Sequence, residues 1–383
     1  MGLCVDGWQD RARLRPTAEI GDTYMIKVLI VDDSPVVREF LTQLFSSDPE
    51  IMVVGTVGSG GEAIEAVRQR RPDVVTMDVQ MPEMNGYEAT RIIMETNPVP
   101  IVIVSGSVDP KEVTTTFRAM EAGALAVVSR PAGRGHPDHE KTVKELLKTV
   151  KLMSEVRVVR RWSRPTPAAP SPLSPEKVVG QEAPEVSLVA IGASTGGPIA
   201  IQQILAALPR DFFPAVLVVQ HMAKGFIAGF AEWLAHSSAI PVKLAVHGEP
   251  LHSGCVYVAP DGCDMEVGTD GRIALMKDDN NNGHCPSVSR LFRSVASIYG
   301  RSAVGVLLTG MGKDGAAELR LMREQGAATI AQDAESSIVY GMPGEAAKLG
   351  AAEYILPLDR IQPLLVRLVK PGRGGIRTDT KAR

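Results

Sequence analysis

The sequence has little cysteine, no long apolar run and no excess of charge. Cys4, Cys255, Cys263 and Cys285 are the four cysteines among 383 residues. None forms a C-x-x-C pair and the spacing fits no zinc signature. Free thiols in a reducing, cytoplasmic setting are the simplest reading. No stretch approaches the roughly 18–20 apolar residues of a membrane-spanning helix, so membrane insertion is not expected. Asp6 and Asp10 fall where a secretory signal would be apolar. Lys and Arg number 41 against 44 Asp and Glu, a formal net charge of −3, so nothing in the balance argues for nucleic acid as a partner.

The length implies two domains, and an apolar share of 44% suffices for two cores. Residues 1–24 lack periodicity and read as a disordered extension, or Met25 is the true start. From Met25 on, short apolar strands at 26–31, 51–56, 73–77, 100–104 and 125–128 alternate with helical patterns such as Val36–Phe45 and Gly61–Arg70. A last helix is expected over Lys141–Val159. Pro165, Pro167, Pro170, Pro172, Pro175 and Pro184 then mark an extended linker.

A second alternation follows, with strands at 186–191, 215–219, 255–259, 304–308 and 327–331. Helices are expected at 198–208, 226–235, 287–298 and 315–325. Val242–Val246 and Ile273–Met276 read as edge strands. Strands apolar on both faces and separated by helices predict an α/β chain with two doubly wound parallel-sheet domains. The expected divisions are 25–145, a helix end and linker over 146–184, a second domain over 185–368, and a disordered tail over 369–383. No internal repeat is visible.

The carboxyl ends of the first set of strands carry chemistry. Asp32 and Asp33 follow the first strand, Asp78 the third, Ser105 the fourth and Arg130-Pro131 the fifth. Taken singly, each acid reads as a solvated loop residue; three acids and a hydroxyl at four strand ends do not. Three clustered carboxylates repel one another unless a cation neutralises them. Mg²⁺ suits oxygen ligands shared with water and phosphate. Asp78 could then accept a phosphoryl group as a nucleophile.

In the second domain the first strand runs into Gly192-Ala193-Ser194-Thr195-Gly196-Gly197-Pro198. This G-x-S-x-G turn leads into a helix with Pro at its first position. A serine needs a base, and the next strand ends in Gln220-His221. A third ends in Thr309-Gly310-Met311-Gly312-Lys313-Asp314-Gly315, where Asp314 could orient His221 and glycine-rich backbone could supply oxyanion donors. Asp333, after another strand, is an alternative to Asp314. His284 is the best rival to His221, although it reads as part of a helix-entry loop capped by Ser287. The order Ser, His, Asp disfavours the α/β-hydrolase fold.

The segments Leu29-Ile30-Val31-Asp32-Asp33-Ser34, Met77 to Gly86 and Val104-Ser105 resemble a response-regulator receiver domain of flavodoxin-like fold. That resemblance implies Asp78 as phospho-acceptor. It also implies Mg²⁺ held by Asp32, Asp33, Asp78 and the Gln80 carbonyl, with Ser105 as switch hydroxyl. Receivers carry Lys before a final cis-Pro, where Arg130 stands here, and an aromatic switch residue where Val127 stands. Arg and Lys are not equivalent at such a site.

The second domain is similar over nearly its whole length to the catalytic domain of the chemotaxis protein-glutamate methylesterases, the CheB family, with a Rossmann-like three-layer αβα fold. The matches include Ile191 to Pro198, Val219 to Met222, Tyr257 to Pro260, Leu308 to Ala316, Ala331 to Asp333 and Gly341 to Pro343. The resemblance implies a triad of Ser194, His221 and Asp314, with the Met311 N–H in the oxyanion hole. The implied reaction is hydrolysis of γ-glutamyl methyl esters on chemoreceptors, with deamidation of certain receptor glutamines and no cofactor for the esterase. A histidine kinase would supply the phosphoryl group. Two rival readings stay open here: a nucleotide-binding output domain using Gly192–Gly197, and a non-catalytic signalling scaffold.

Overall fold

A computed structural model describes residues 25–106, 110–156, 158, 186–277 and 285–369. The sequence expectations for residues 1–24, the Pro-rich stretch, His284 and the tail after 369 lie outside the described residues.

The first unit runs β1 (Ile26–Val31), α1 (Pro35–Ser46), β2 (Ile51–Val57), α2 (Gly60–Arg70), β3 (Val74–Met77), α3 (Gly86–Thr96), β4 (Ile101–Ser105), α4 (Pro110–Ala122), β5 (Ala126–Ser129) and α5 (His139–Ser154). Its strands lie parallel in the order β2-β1-β3-β4-β5. Side chains alternate across a strand, and β1 shows the consequence. Leu29 and Val31 enter the core under α2, α3 and α4, while Val28 and Ile30 enter the one under α1 and α5. The expected last helix ends at Ser154, short of Val159, because Val156 and Val158 leave the helix to pack against the apolar core.

The second unit runs β6 (Leu188–Ala193), α6 (Gly197–Ala206), β7 (Ala215–Gln220), α7 (Ile227–Ser237), β8 (Val242–Leu244), β9 (Val256–Val258), β10 (Cys263–Val267), β11 (Ile273–Lys277), α8 (Val288–Tyr299), β12 (Ala303–Leu307), α9 (Ala316–Glu324), β13 (Ala328–Gln332), α10 (Met342–Lys348), β14 (Tyr354–Leu356) and α11 (Leu358–Leu368). Seven parallel strands are ordered β14-β13-β12-β6-β7-β9-β8. All six residues of β6 and of β7 are buried, as covering a parallel sheet on both faces requires. Val242–Leu244 is an edge strand as expected. The strand expected at Ile273–Met276 is an edge too, but of a separate hairpin, where it pairs antiparallel with β10.

Parallel order brings every strand's carboxyl end to one rim. The chain reverses its winding direction between β1 and β3, and again between β6 and β12, and these are the positions where doubly wound sheets open a crevice. The two units also share a core. Phe117 of α4 stacks on Trp233 of α7 with centroids 5.1 Å apart and lies 5.5 Å from Phe230. The Trp233 Nε1–H donates to Glu121 Oε1 at 2.9 Å.

Phe117 is fully buried, so Phe117→Ala should cost about 3–5 kcal/mol and loosen the α4–α7 contact. In a background lacking Trp8 and Trp162, Trp233 emission should shift to the red. An unchanged spectrum would contradict the packing described.

Candidate active site and acidic pocket

In the second unit β6 lies between β12 and β7, and the register pairs Ala193 with Gln220. Ser194 and His221 therefore occupy the next step on neighbouring strands. The His221 N–H donates to the Ala193 carbonyl at 2.9 Å, and the Ser194 N–H donates to the Thr309 carbonyl at 3.1 Å. A Cβ on Gly310 would lie 2.7 Å from Ser194 Cβ, so the loop carrying Met311 and Asp314 passes directly over the serine. His221 Nε2 and Asp314 Oδ2 are 2.9 Å apart. That contact leaves Nδ1 as the ring nitrogen not engaged by the carboxylate. The structure thus joins His221 to Asp314 and places Ser194 beside them. Among the described residues, no hydrogen bond of the Ser194 hydroxyl is formed in this conformation.

Asp314 is anchored from a second direction. It accepts from the Val288 N–H at 2.8 Å, the Ser289 N–H at 3.0 Å and the Ser287 hydroxyl at 3.2 Å. These groups form the amino end of α8, where free N–H donors and the helix dipole favour an anion. Ser287 also caps α8, accepting from the Arg290 N–H. Burial alone would raise the Asp314 pKa; hydrogen bonds from His221, Ser289 and Val288 outweigh it and hold the carboxyl well below the usual carboxylate range. Asp333, the alternative from sequence, is turned into its own loop, accepting from the Ser336 N–H at 2.9 Å and hydroxyl at 2.7 Å.

Several contributors were not singled out from the sequence. Thr309 donates its N–H to Gln332 Oε1 at 2.9 Å and its hydroxyl to the Thr195 carbonyl at 3.0 Å. Gln220 Nε2 donates to the carbonyls of Ser194 and His221. The available signal was a glutamine closing an apolar strand, twice: Val218-Val219-Gln220 and Ile330-Ala331-Gln332.

In the first unit Asp32, Asp33 and Asp78 each bring a carboxylate oxygen within 4.8 Å of the other two. The Ser34 N–H binds Asp32 Oδ1 at 2.9 Å, and the Val79 N–H binds Asp78 Oδ1 at 2.8 Å. Arg38, not anticipated, donates to the carbonyls of Asp32 and Asp33. Ser105 closes β4 and is buried, whereas Gln80 is exposed in the loop after β3. Burial and the nearby Asp32 carboxylate push the Asp78 pKa up to about 6, against the pull of Arg130 and the Val79 N–H. Three hard oxygen donors gathered this closely fit a small divalent cation such as Mg²⁺.

Arg130 reaches into the same pocket, its Nη2 lying 3.2 Å from Asp32 Oδ2 and 3.6 Å from Asp78 Oδ2. Gly106 makes room for it: a Cβ there would meet the guanidinium carbon at 3.0 Å. Val127, where receivers carry an aromatic residue, is half-buried against the core. The cis bond expected before Pro131 is absent; among the described residues the cis bond is Cys285–Pro286.

The chain is similar to known proteins over most of its length. The CheB methylesterase family model matches residues 189–365, and the response regulator receiver domain model matches 28–136. A protein-glutamate methylesterase/protein-glutamine glutaminase of Nitrosospira multiformis is 56% identical over 345 residues, covering 90% of this chain and 97% of that protein. The chain belongs to the protein-glutamate methylesterase/protein-glutamine glutaminase family. A Geobacter metallireducens relative, protein-glutamate methylesterase/protein-glutamine glutaminase 4, is also 56% identical, over 90% of this chain and 99% of its own length. The crystal structure of the Thermotoga maritima CheB methylesterase catalytic domain is 37% identical, covering 48% of this chain and 98% of that one, with a TM-score of 0.46. Among the described residues no helix is long and apolar enough to cross a membrane.

The depressed pKa of Asp314 has a definite sign. Its stabilising contribution is present above the unfolded-state value of about 3.9 and is lost as pH falls through the folded value. Asp314→Asn should destabilise the protein by on the order of 2 kcal/mol at neutral pH. The gap to wild type in chemical unfolding should stay level between about pH 8 and 5 and narrow below about pH 4. A gap that widens in acid would contradict the assignment.

Proposed function

We propose that the chain hydrolyses γ-glutamyl methyl esters on methyl-accepting chemoreceptors and deamidates particular receptor glutamines, under control of phosphorylation at Asp78. The extents proposed are 25–145 for the receiver and 185–368 for the catalytic domain. The observation that carries the reading is the His221–Asp314 pair at 2.9 Å beside Ser194, at the carboxyl ends of three adjacent strands, in a chain 56% identical to a named methylesterase.

The chemistry follows from the atoms. Ser194 Oγ attacks the ester carbonyl while its proton passes to His221 Nδ1, because Nε2 is committed to Asp314. The new imidazolium lies against a carboxylate that the end of α8 holds anionic. The Met311 N–H serves the developing oxyanion, a donor of the kind worth roughly 3–4 kcal/mol. The His221 proton then goes to the departing methoxide, releasing methanol. Water, deprotonated by the same nitrogen, cleaves the acyl-enzyme to free glutamate and Ser194. With a glutamine substrate the leaving group is ammonia. The esterase steps call for no cofactor.

In the receiver, Asp32, Asp33, Asp78 and the Gln80 carbonyl would hold Mg²⁺, which when bound neutralises charge as a phosphoryl group is transferred. Asp78 accepts the phosphoryl group from a histidine kinase, Arg130 lies beside it, and Ser105 is the switch hydroxyl. The protein works in the cytoplasm, and neither nucleic acid nor membrane insertion forms part of this reading.

Regulation is supported by where the receiver sits. Ile338, which lies against Gly196 beside the nucleophile, also packs with Val339 onto the receiver core under α1 and α5. The receiver thus borders the esterase rim, and phosphorylation would shift a closed–open balance.

Methanol release from methylated receptor membranes tests both parts. Ser194→Ala should reduce it by about 10⁴-fold or more. Asp78→Asn should keep basal release and lose all stimulation by a small-molecule phosphodonor. Undiminished release from Ser194→Ala, or undiminished stimulation of Asp78→Asn, would sink the corresponding half.

A further inference from the structure

Gln220 is 1% exposed and closes β7 directly before His221. Its Nε2 donates to the Ser194 carbonyl at 2.8 Å and to the His221 carbonyl at 2.7 Å. One amide group thus ties together the peptide units that carry the two residues. Two facing carbonyls also fix its orientation, since a flipped amide would set three oxygens against one another. The cost is visible at the other end: Gln220 Oε1 is buried with no hydrogen-bond partner among the described residues. It points at the start of α6, where a Cβ on Gly197 would lie 2.1 Å from it. Any other residue at 197 would expel the amide.

Nearly all buried polar atoms in folded proteins are paired. A leucine of similar size would remove the orphan oxygen but also both donated bonds, so the two effects on stability oppose each other. What only the amide supplies is the pair of donors. The strand register of β6 and β7 ends at Ala193 and Gln220, and one backbone bond each holds the next residues, His221 N–H to the Ala193 carbonyl and Ser194 N–H to the Thr309 carbonyl. The Gln220 amide adds a tie that engages the carbonyls of both residues at once.

We propose that Gln220 is a positioning residue for the esterase. It touches neither substrate nor reacting atoms. Its carboxamide sets the distance between the Ser194 hydroxyl and the His221 ring, and Gly197 is the space that lets it do so. This inference rests on the nucleophile and base assigned above.

The test reads the reactivity of Ser194 itself. The second-order rate of labelling by a fluorophosphonate is measured on the full-length protein, with circular dichroism and thermal melts reporting the folded fraction. Wild type should be labelled and Ser194→Ala should not. Gln220→Leu should melt within a few degrees of wild type yet label about 100-fold more slowly per folded molecule, the size of loss expected from a misplacement near 1 Å. Gln220→Glu supplies a signature that a purely structural role would not. As a carboxylate it donates nothing to either carbonyl; once protonated it regains one donor. Its rate relative to wild type should therefore rise as pH is lowered from about 9 to about 6.

A labelled wild type together with Gln220→Leu reacting within about threefold of it would overturn this inference alone. A flat pH ratio for Gln220→Glu would do the same, and unfolding of both variants would assign Gln220 to stability instead. An unlabelled wild type would overturn the nucleophile itself and this inference with it.

Discussion

A single carboxylate ties together three parts of the catalytic unit that are remote in sequence. Asp314 lies in the loop after β12, accepts from three groups at the start of α8, and holds the imidazole that follows β7. Each contact strengthens the others' purpose. The helix end keeps Asp314 ionised, an ionised Asp314 fixes the ring by Nε2, and a fixed ring leaves Nδ1 as the nitrogen the carboxylate does not engage. Were the helix end elsewhere, a half-buried carboxylate would drift toward its neutral form, and the imidazolium of the proposed reaction would lose its counter-charge.

Both units solve the same problem with the same scaffold. A parallel sheet gathers strand ends at one rim, and the residue just past each strand becomes functional while the strand itself remains apolar. In the receiver the rim collects like charges, so the difficulty is repulsion, met here by Arg130 and by a place suited to a cation. In the esterase the rim collects a hydroxyl, an imidazole and a carboxylate, and the proposed reaction makes alignment the difficulty, met by buried amides and a helix end. The rims are also in mechanical contact. α4 begins soon after Ser105, α7 begins soon after His221, and the two helices pack through Phe117, Phe230 and Trp233.

Much of this layout was legible in the sequence because its signal is local. Apolar runs that end in Asp, Ser or His announce parallel strands with chemistry at their tips, and Ser194, His221, Asp314, Asp32, Asp33 and Asp78 all fall where that pattern puts them. What escaped was either short or non-local. β14 spans three residues with its middle one exposed, and α11 hides behind an internal proline, Pro363. β10 carries Asp264, a buried acid that would argue against a strand. That acid is satisfied by the Ser287 N–H and Arg290, both far along the chain. The support given to Asp314 by Ser287, Val288 and Ser289 comes from about 25 residues upstream, and no spacing in the sequence pairs that helix start with the acid. Gln220 was visible only as a polar residue closing an apolar strand.

The arginine in the acidic pocket carries a consequence of its own. An ammonium at that position could be silenced by Nε-acetylation, which removes the charge of a lysine; a guanidinium is outside the reach of that reaction. The electrostatic ledger around Asp78 therefore has a constant positive line, wedged into the hollow left by Gly106. Metabolic fluctuation in acyl donors cannot rewrite it. Only what arrives at or departs from the aspartates themselves can change the sign of that corner of the molecule.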